Sequence, residues 1–248
     1  DARTLTIMDA TTPPYELPGE GPQPFLRLPW AVGALAALML AIQGVLSLVP
    51  GQADAILFNY GFVPARYSSS FLAAHGIDGG SLLEKALPFF TYMFLHAGWM
   101  HVVVNTVWLL AFGTAVVRRF GSVRFFLFFI VCGVAGAALH LALNWQAVAP
   151  VVGASAAISG LMAVAFRLIG REGNAFSPPQ PLMPILSRRI LWWSAIWVVI
   201  NIAAGVTGLG AGPGAQFIAW QAHLGGFAAG LLLAGLFDPV NRLNPEPL

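Results

Sequence analysis

From Trp30 to Phe237 this chain is a succession of long apolar runs, and none of its carboxylates falls inside one of them. The acids are Asp1, Asp9, Glu16, Glu20, Asp54, Asp78, Glu84, Glu172, Asp238 and Glu246. Hydrocarbon accepts a backbone only where its polar groups are satisfied internally, and about 20 apolar residues in a helix suffice to cross it. With 58% hydrophobic and 9% charged residues, against roughly 25% charged in a soluble domain, the chain cannot cover itself with a water-facing surface. The fold class this predicts is an all-α polytopic membrane protein of six transmembrane helices. The expected spans are residues 30–49, 88–117, 125–145, 153 to about 167–171, 190–206 and 215–237.

Residues 1–28 are polar and rich in proline, and are expected to form a flexible cytoplasmic tail. Residues 29–238 form the expected six-helix membrane domain, and 239–248 a short cytoplasmic tail. Within the domain, 50–86 is a long connection of turn formers interrupted by apolar pieces (Ile56, Leu57, Phe58, Phe62), expected to lie partly in the membrane interface. A signal peptide at the first run is disfavoured by the long proline-rich segment before it. Six crossings put both termini on one side. That side would carry Arg3, Arg27, Arg118, Arg119, Arg124, Arg167, Arg171, Arg188, Arg189 and Arg242, and the other only Arg66 and Lys85. Because basic residues accumulate in cytoplasmic loops, the termini are expected in the cytoplasm. The arginine-heavy inner face and the lack of a targeting presequence point to a bacterial cytoplasmic membrane.

Other classes fall away. One cysteine, Cys132, makes neither a disulfide framework nor a thiolate metal site. Basic tracts interleaved with aromatics are missing, so nucleic acid is not an expected partner. Without a His-Glu-x-x-His pattern or an acid inside a span, a catalytic zinc site has too few ligands. No cofactor is implied. A transporter would need further intramembrane ionisable groups, and no inverted repeat is visible.

The polar residues that remain are few. The stretch Pro150–Gly160, PVVGASAAISG, sets Ser155 among very small residues. Small residues on a membrane helix let a second backbone come close, so one reading of this stretch is packing alone. The other is a nucleophile, since a serine hydroxyl becomes one when a base lies within hydrogen-bond reach. His223 is the candidate base. It lies on a segment where Ala222, Gly226 and Gly230 recur every fourth position, a smooth ridge for a close helix contact. His101 and Asn105, four apart, share one helical face and offer N–H donors for an oxyanion, with the Ser155 backbone N–H as a further donor. The usual base-orienting acid is missing from every span, so a Ser–His dyad oriented by packing or weaker polar contacts is expected. His96 is read as a structural residue hydrogen-bonded to the loop, His140 as a packing residue and His75 as a loop residue.

Together these residues resemble the rhomboid family of intramembrane serine proteases. The resemblance covers residues 30–237. It rests on His101-x-x-x-Asn105, Gly153-x-Ser155, the Ala-His-x-x-Gly-x-x-x-Gly pattern from Ala222 to Gly230, and Phe94-Leu95-His96. It implies Ser155 as nucleophile, His223 as general base, His101 and Asn105 as oxyanion donors, and cleavage of single-span membrane proteins near the outer ends of their helices. The lipid bilayer and such substrates would be the partners. Two positions depart from the pattern. Ala156 stands where the family has glycine after the serine, and overpacking a tight contact costs about 1–3 kcal/mol. The 50–86 connection also lacks a Trp-Arg pair found in some relatives. The competing function is a rhomboid-like protein that binds transmembrane partners, for example as a complex subunit, and cuts weakly or not at all.

Overall fold

A computed structural model describes residues 28–173, 178–208 and 219–240. Most of both expected tails, part of the 177–184 link and most of the glycine-rich turn after Thr207 lie outside these residues. The regular structure of the described residues is all helical, with a single antiparallel bridge between Phe62 and Val151.

Six helices make the bundle: α1 (Trp30–Leu48), α2 (Trp99–Phe120), α3 (Ser122–Leu143), α4 (Ser155–Leu168), α5 (Arg188–Thr207) and α6 (Trp220–Phe237). Among the described residues five are long and apolar enough to cross a membrane; α4, with 14 residues, is shorter. Their entries are set by local chemistry. Pro29 in extended conformation precedes α1, and the Ser187 hydroxyl caps α5 by accepting from the Ile190 N–H. Within α2, residues Leu109–Gly113 form a π-helical turn.

The sequence expectation of one continuous span over 88–117 is corrected here. Pro88 opens a short helix, Pro88–Thr91, followed by the 3-10 turn Tyr92–Phe94, an extended Leu95 and then α2 from Trp99. The 50–86 connection is likewise largely helical, with Pro50–Tyr60, Ser69–His75 and Leu82–Ala86. The last is fixed by a capping box in which Ser81 and Glu84 exchange bonds. The Ser81 backbone N–H and then its hydroxyl hold the exposed Glu84 carboxyl below its ordinary range.

At the core, α4 is buried along almost its whole length, and it can be so because its neighbours bring glycine to meet it. A Cβ placed on Gly226 of α6 would collide with the Ala156 carbonyl, and one on Gly230 would lie 2.7 Å from the Gly160 Cα. On the other flank, a Cβ on Gly136 of α3 would come within 2.6 Å of the Ala156 Cβ. The ridge read from Ala222, Gly226 and Gly230 is therefore the seam between α6 and α4.

The opposite end of the bundle from Ser155 is tied by arginines. Arg119 at the end of α2 grips Asp238, just past α6, through Nε–Oδ1 at 2.7 Å and Nη2–Oδ2 at 2.8 Å, and its Nη2 also donates to the Gln180 carbonyl. Arg167 of α4 donates to the carbonyls of Met183 and Leu231, each at 2.8 Å. Arg171 reaches the Gln180 side chain at 2.8 Å. This clasp gathers α2, α4, α6 and the link before α5 at one point.

Candidate active site

Ser155 is the first residue of α4, preceded by Gly153 with φ +116° and by Ala154. The segment entering α4 is anchored where the Gly153 N–H donates to the Tyr92 carbonyl at 2.9 Å, with the Tyr92 hydroxyl bound to the Gly133 carbonyl at 2.7 Å. Position 153 needs glycine twice over. The backbone is in a region disfavoured for side chains, and a Cβ would lie 2.7 Å from His101 Nε2.

Across the α4–α6 seam the Ser155 hydroxyl meets His223 Nε2 at 2.7 Å. The two residues proposed as a nucleophile–base pair are therefore in direct hydrogen-bond contact. This short distance depends on the missing side chains of Gly226 and Gly230, which let the helices approach backbone to backbone.

His101 and Asn105, near the start of α2, face the same turn from the other side. The break before α2 leaves the Ala97 N–H pointing at His101 Nδ1, 3.4 Å away. A ring nitrogen that accepts carries no proton, so in neutral His101 the proton sits on Nε2, the atom beside Gly153. The Asn105 amide donates one N–H to the His101 carbonyl at 3.0 Å. Its Nδ2 lies 3.6 Å from where a Gly153 Cβ would be, and Asn105 itself is buried. A helix leaves its first N–H groups without intrahelical partners, so Ser155 N–H adds a third donor at the same turn. The four residues selected from the sequence, Ser155, His223, His101 and Asn105, come together.

One partner was missed. His223 Nδ1 lies 2.8 Å from Asn201 Oδ1, on α5. The expected weaker polar contact thus exists, and it is a carboxamide. A search confined to acids passes over it, although a lone asparagine in the apolar run 190–206 carries the same warning as a charge in lipid. His96 also differs from expectation. It is buried, and neither ring nitrogen makes a hydrogen bond of ordinary geometry; the Phe94 carbonyl offers only a weaker contact. Its ring instead packs edge-on against His101, centroids 5.1 Å apart. His140 is buried on α3 beside Asn144, and His75 is exposed, bonded to the Phe71 carbonyl.

Chemically, the arrangement offers an alcohol, an imidazole in contact with it, an acceptor behind the imidazole, and N–H groups converging on the turn beside the alcohol. That is the constellation acyl transfer uses.

A family model described as the Rhomboid domain matches residues 83–238. Relatives among curated proteins include RHOMBOID-like protein 1 of Arabidopsis thaliana, 31% identical over 152 residues, which covers 60% of this chain and 33% of that protein. RHOMBOID-like protein 4 of the same plant is 33% identical over 142 residues, 56% of this chain and 31% of the relative. RHOMBOID-like protein 6, mitochondrial, is 27% identical over 143 residues, 58% and 41% respectively. The chain thus spans about a third of the length of the first two and 41% of the third. All three come from a plant, so the expected bacterial cytoplasmic membrane finds no support among them.

Proposed function

We propose, starting from the fact that this chain belongs to the rhomboid family, that it is an intramembrane serine endopeptidase that cleaves single-span membrane proteins near the outer ends of their helices. The observation that carries the reading is the 2.7 Å contact between Ser155 and His223 on two helices held together by glycine. In this reading the Ser155 oxygen attacks the scissile carbonyl while its proton passes to His223 Nε2. The oxyanion is held by His101 Nε2–H, Asn105 Nδ2–H and the Ser155 N–H. His223 then gives the proton to the leaving amine, and a water activated by the same nitrogen releases the acyl group. The short α4 would complete a six-span topology by way of the non-helical segment before it, with the arginine clasp and both termini on the cytoplasmic side.

The family departure at Ala156 is the observation that favours a non-cutting binder. Its weight is reduced by Gly136, which leaves space for the Ala156 methyl on the opposing helix. The test is labelling of the detergent-solubilised protein with a fluorophosphonate probe, followed by cleavage of reconstituted single-span reporters. Labelling that requires Ser155 and His223 is the expected result. Labelling that persists in Ser155→Ala, or none in a folded wild-type sample, overturns the protease reading in favour of the binder.

A further inference from the structure

We infer that Asn201 is a positioning residue that decides which nitrogen of His223 carries the proton, and that it does so only while α5 is seated on α6. The inference rests on the protease reading for its consequence, but not for its geometry.

The assignment follows from a chain of donors and acceptors. The Trp220 carbonyl can only accept, so the Asn201 atom 3.0 Å from it is the amide nitrogen. That fixes the orientation of the amide and turns Oδ1 toward His223 Nδ1, 2.8 Å away. An amide oxygen also can only accept, so Nδ1 of the neutral ring holds the proton. Nε2 is left with its lone pair aimed at the Ser155 hydroxyl, which is the form a general base requires. The opposite tautomer would set two acceptors face to face at Nδ1 and leave the Ser155 proton with no base. The backbone of Trp220 thus sets the tautomer of a ring three residues further along α6, by way of a side chain on another helix.

The helix that supplies Asn201 is loosely held. Of its membrane window 17% is buried, against 33–39% for the other four long helices. Past Ile190, which is buried at its start, it meets the bundle along one stripe spaced every four residues. Trp193 packs on Phe166 with centroids 5.9 Å apart, and Trp197 stacks on Phe227 at 4.2 Å. Asn201 makes the two bonds above, and Gly205 receives the Trp220 side chain in the space its own lacks. Leu191, Trp192, Ile196, Val199, Ile200 and Val206 are exposed. Asn201 is 7% exposed, a carboxamide buried on a helix whose other faces suit lipid. Any displacement of α5 that lengthens the Asn201 bond frees the imidazole to take the other tautomer, so the readiness of the base is tied to the seating of α5.

The test has two independent arms, both on the full chain in detergent. In the first, ¹⁵N-histidine NMR, with His223→Gln to identify the signal, reads the tautomer without reference to activity. Wild type is expected to hold the proton on Nδ1 and Asn201→Leu to lose that preference. Asn201→Asp, which keeps an acceptor, is expected to retain it. An unchanged tautomer in Asn201→Leu overturns the inference. In the second arm, the maximal fluorophosphonate labelling rate is expected to fall about 100-fold in Asn201→Leu, within the range general-base catalysis contributes, and to recover in Asn201→Asp. The probe concentration giving half-maximal rate should not change. Gly205→Leu, which presses on the Trp220 side chain and lifts α5, should slow labelling in the wild-type background and add nothing in Asn201→Leu. Equal, additive losses in both backgrounds would overturn the coupling to α5. A protein with the expected tautomer that never labels would refute the protease reading and leave the role of Asn201 in the geometry standing.

Discussion

Gly230→Ala tests whether the α4–α6 seam sets the reacting distance. The new Cβ would lie 2.7 Å from the Gly160 Cα and 2.9 Å from its carbonyl carbon. Both are backbone atoms and cannot rotate aside. The Gly160 carbonyl oxygen is closer still, and ordinary contact begins at 3.4 Å, so the helices must part by at least about 0.7 Å (3.4 − 2.7), an overpacking that costs about 1–3 kcal/mol. Ser155 and His223 are carried by the same two helices. If the separation is transmitted rigidly, their 2.7 Å bond opens to about 3.4 Å or more, beyond the usual limit for such a bond. Displacements of about 1 Å at reacting groups cost on the order of 100-fold, so a loss of about 10- to 100-fold in fluorophosphonate labelling is expected, with a lowered melting temperature in the same detergent. Gly44→Ala is the control. Nothing lies within 4 Å of its Cβ, and alanine is the better helix former by about 1 kcal/mol. Wild-type labelling and melting in Gly230→Ala would refute the argument that backbone contact sets the dyad distance.

The donors beside Gly153 make separable predictions. His101→Ala and Asn105→Ala should each lower the cleavage rate about 10²–10³-fold, the worth of an oxyanion donor, while the melting temperature moves little; rates equal to wild type would remove them from the site. Gly136→Ala should destabilise the fold, since its Cβ would meet the Ala156 Cβ at 2.6 Å and the Ala222 carbonyl at 2.7 Å. Ala156→Gly should restore part of that loss but not all, as thermal unfolding would show. Asp238→Ala should cost about 3–5 kcal/mol by leaving the Arg119 guanidinium buried without its partner. Adding Arg119→Met should recover much of it, and a strictly additive pair would argue against the clasp.

What could be read from the sequence follows from what each signal depends on. Ser155, His223, His101 and Asn105 were legible because polar groups within apolar runs have few structural reasons to be there, and the ridge on α6 because its four-residue spacing maps directly onto a helix face. The break between Tyr92 and Trp99 was not legible. Phe94, Leu95 and Ala97 are as apolar as the helices around them, and hydropathy does not distinguish a buried turn from a span. Yet that turn supplies the Ala97 amide that orients His101. Asn201 was missed for another reason. An orienting group is usually sought among carboxylates, and the structure meets the need with the oxygen of a neutral amide whose direction is fixed by a main-chain carbonyl, a partner that no residue type announces.

The π turn of α2 has a consequence for how the two ends of the molecule are phased. From His101 to Arg119 is 18 residues (119 − 101), and in a regular helix 18 residues make five whole revolutions. Arg119 would then emerge directly below His101 and look the same way. The wider turn at Leu109–Gly113 retards the lower half by roughly the sweep of one residue, about 100°. The upper half can thus address the loop before Ser155 while the lower half addresses Asp238. The helix behaves as a shaft with two keyways cut at different angles. Regularising this turn without changing its length would bring the keyways back into line, and the protein could then keep its catalytic face or its clasp in register, but not both; deleting one residue from it, which leaves about 17 residues of regular helix, would preserve the offset.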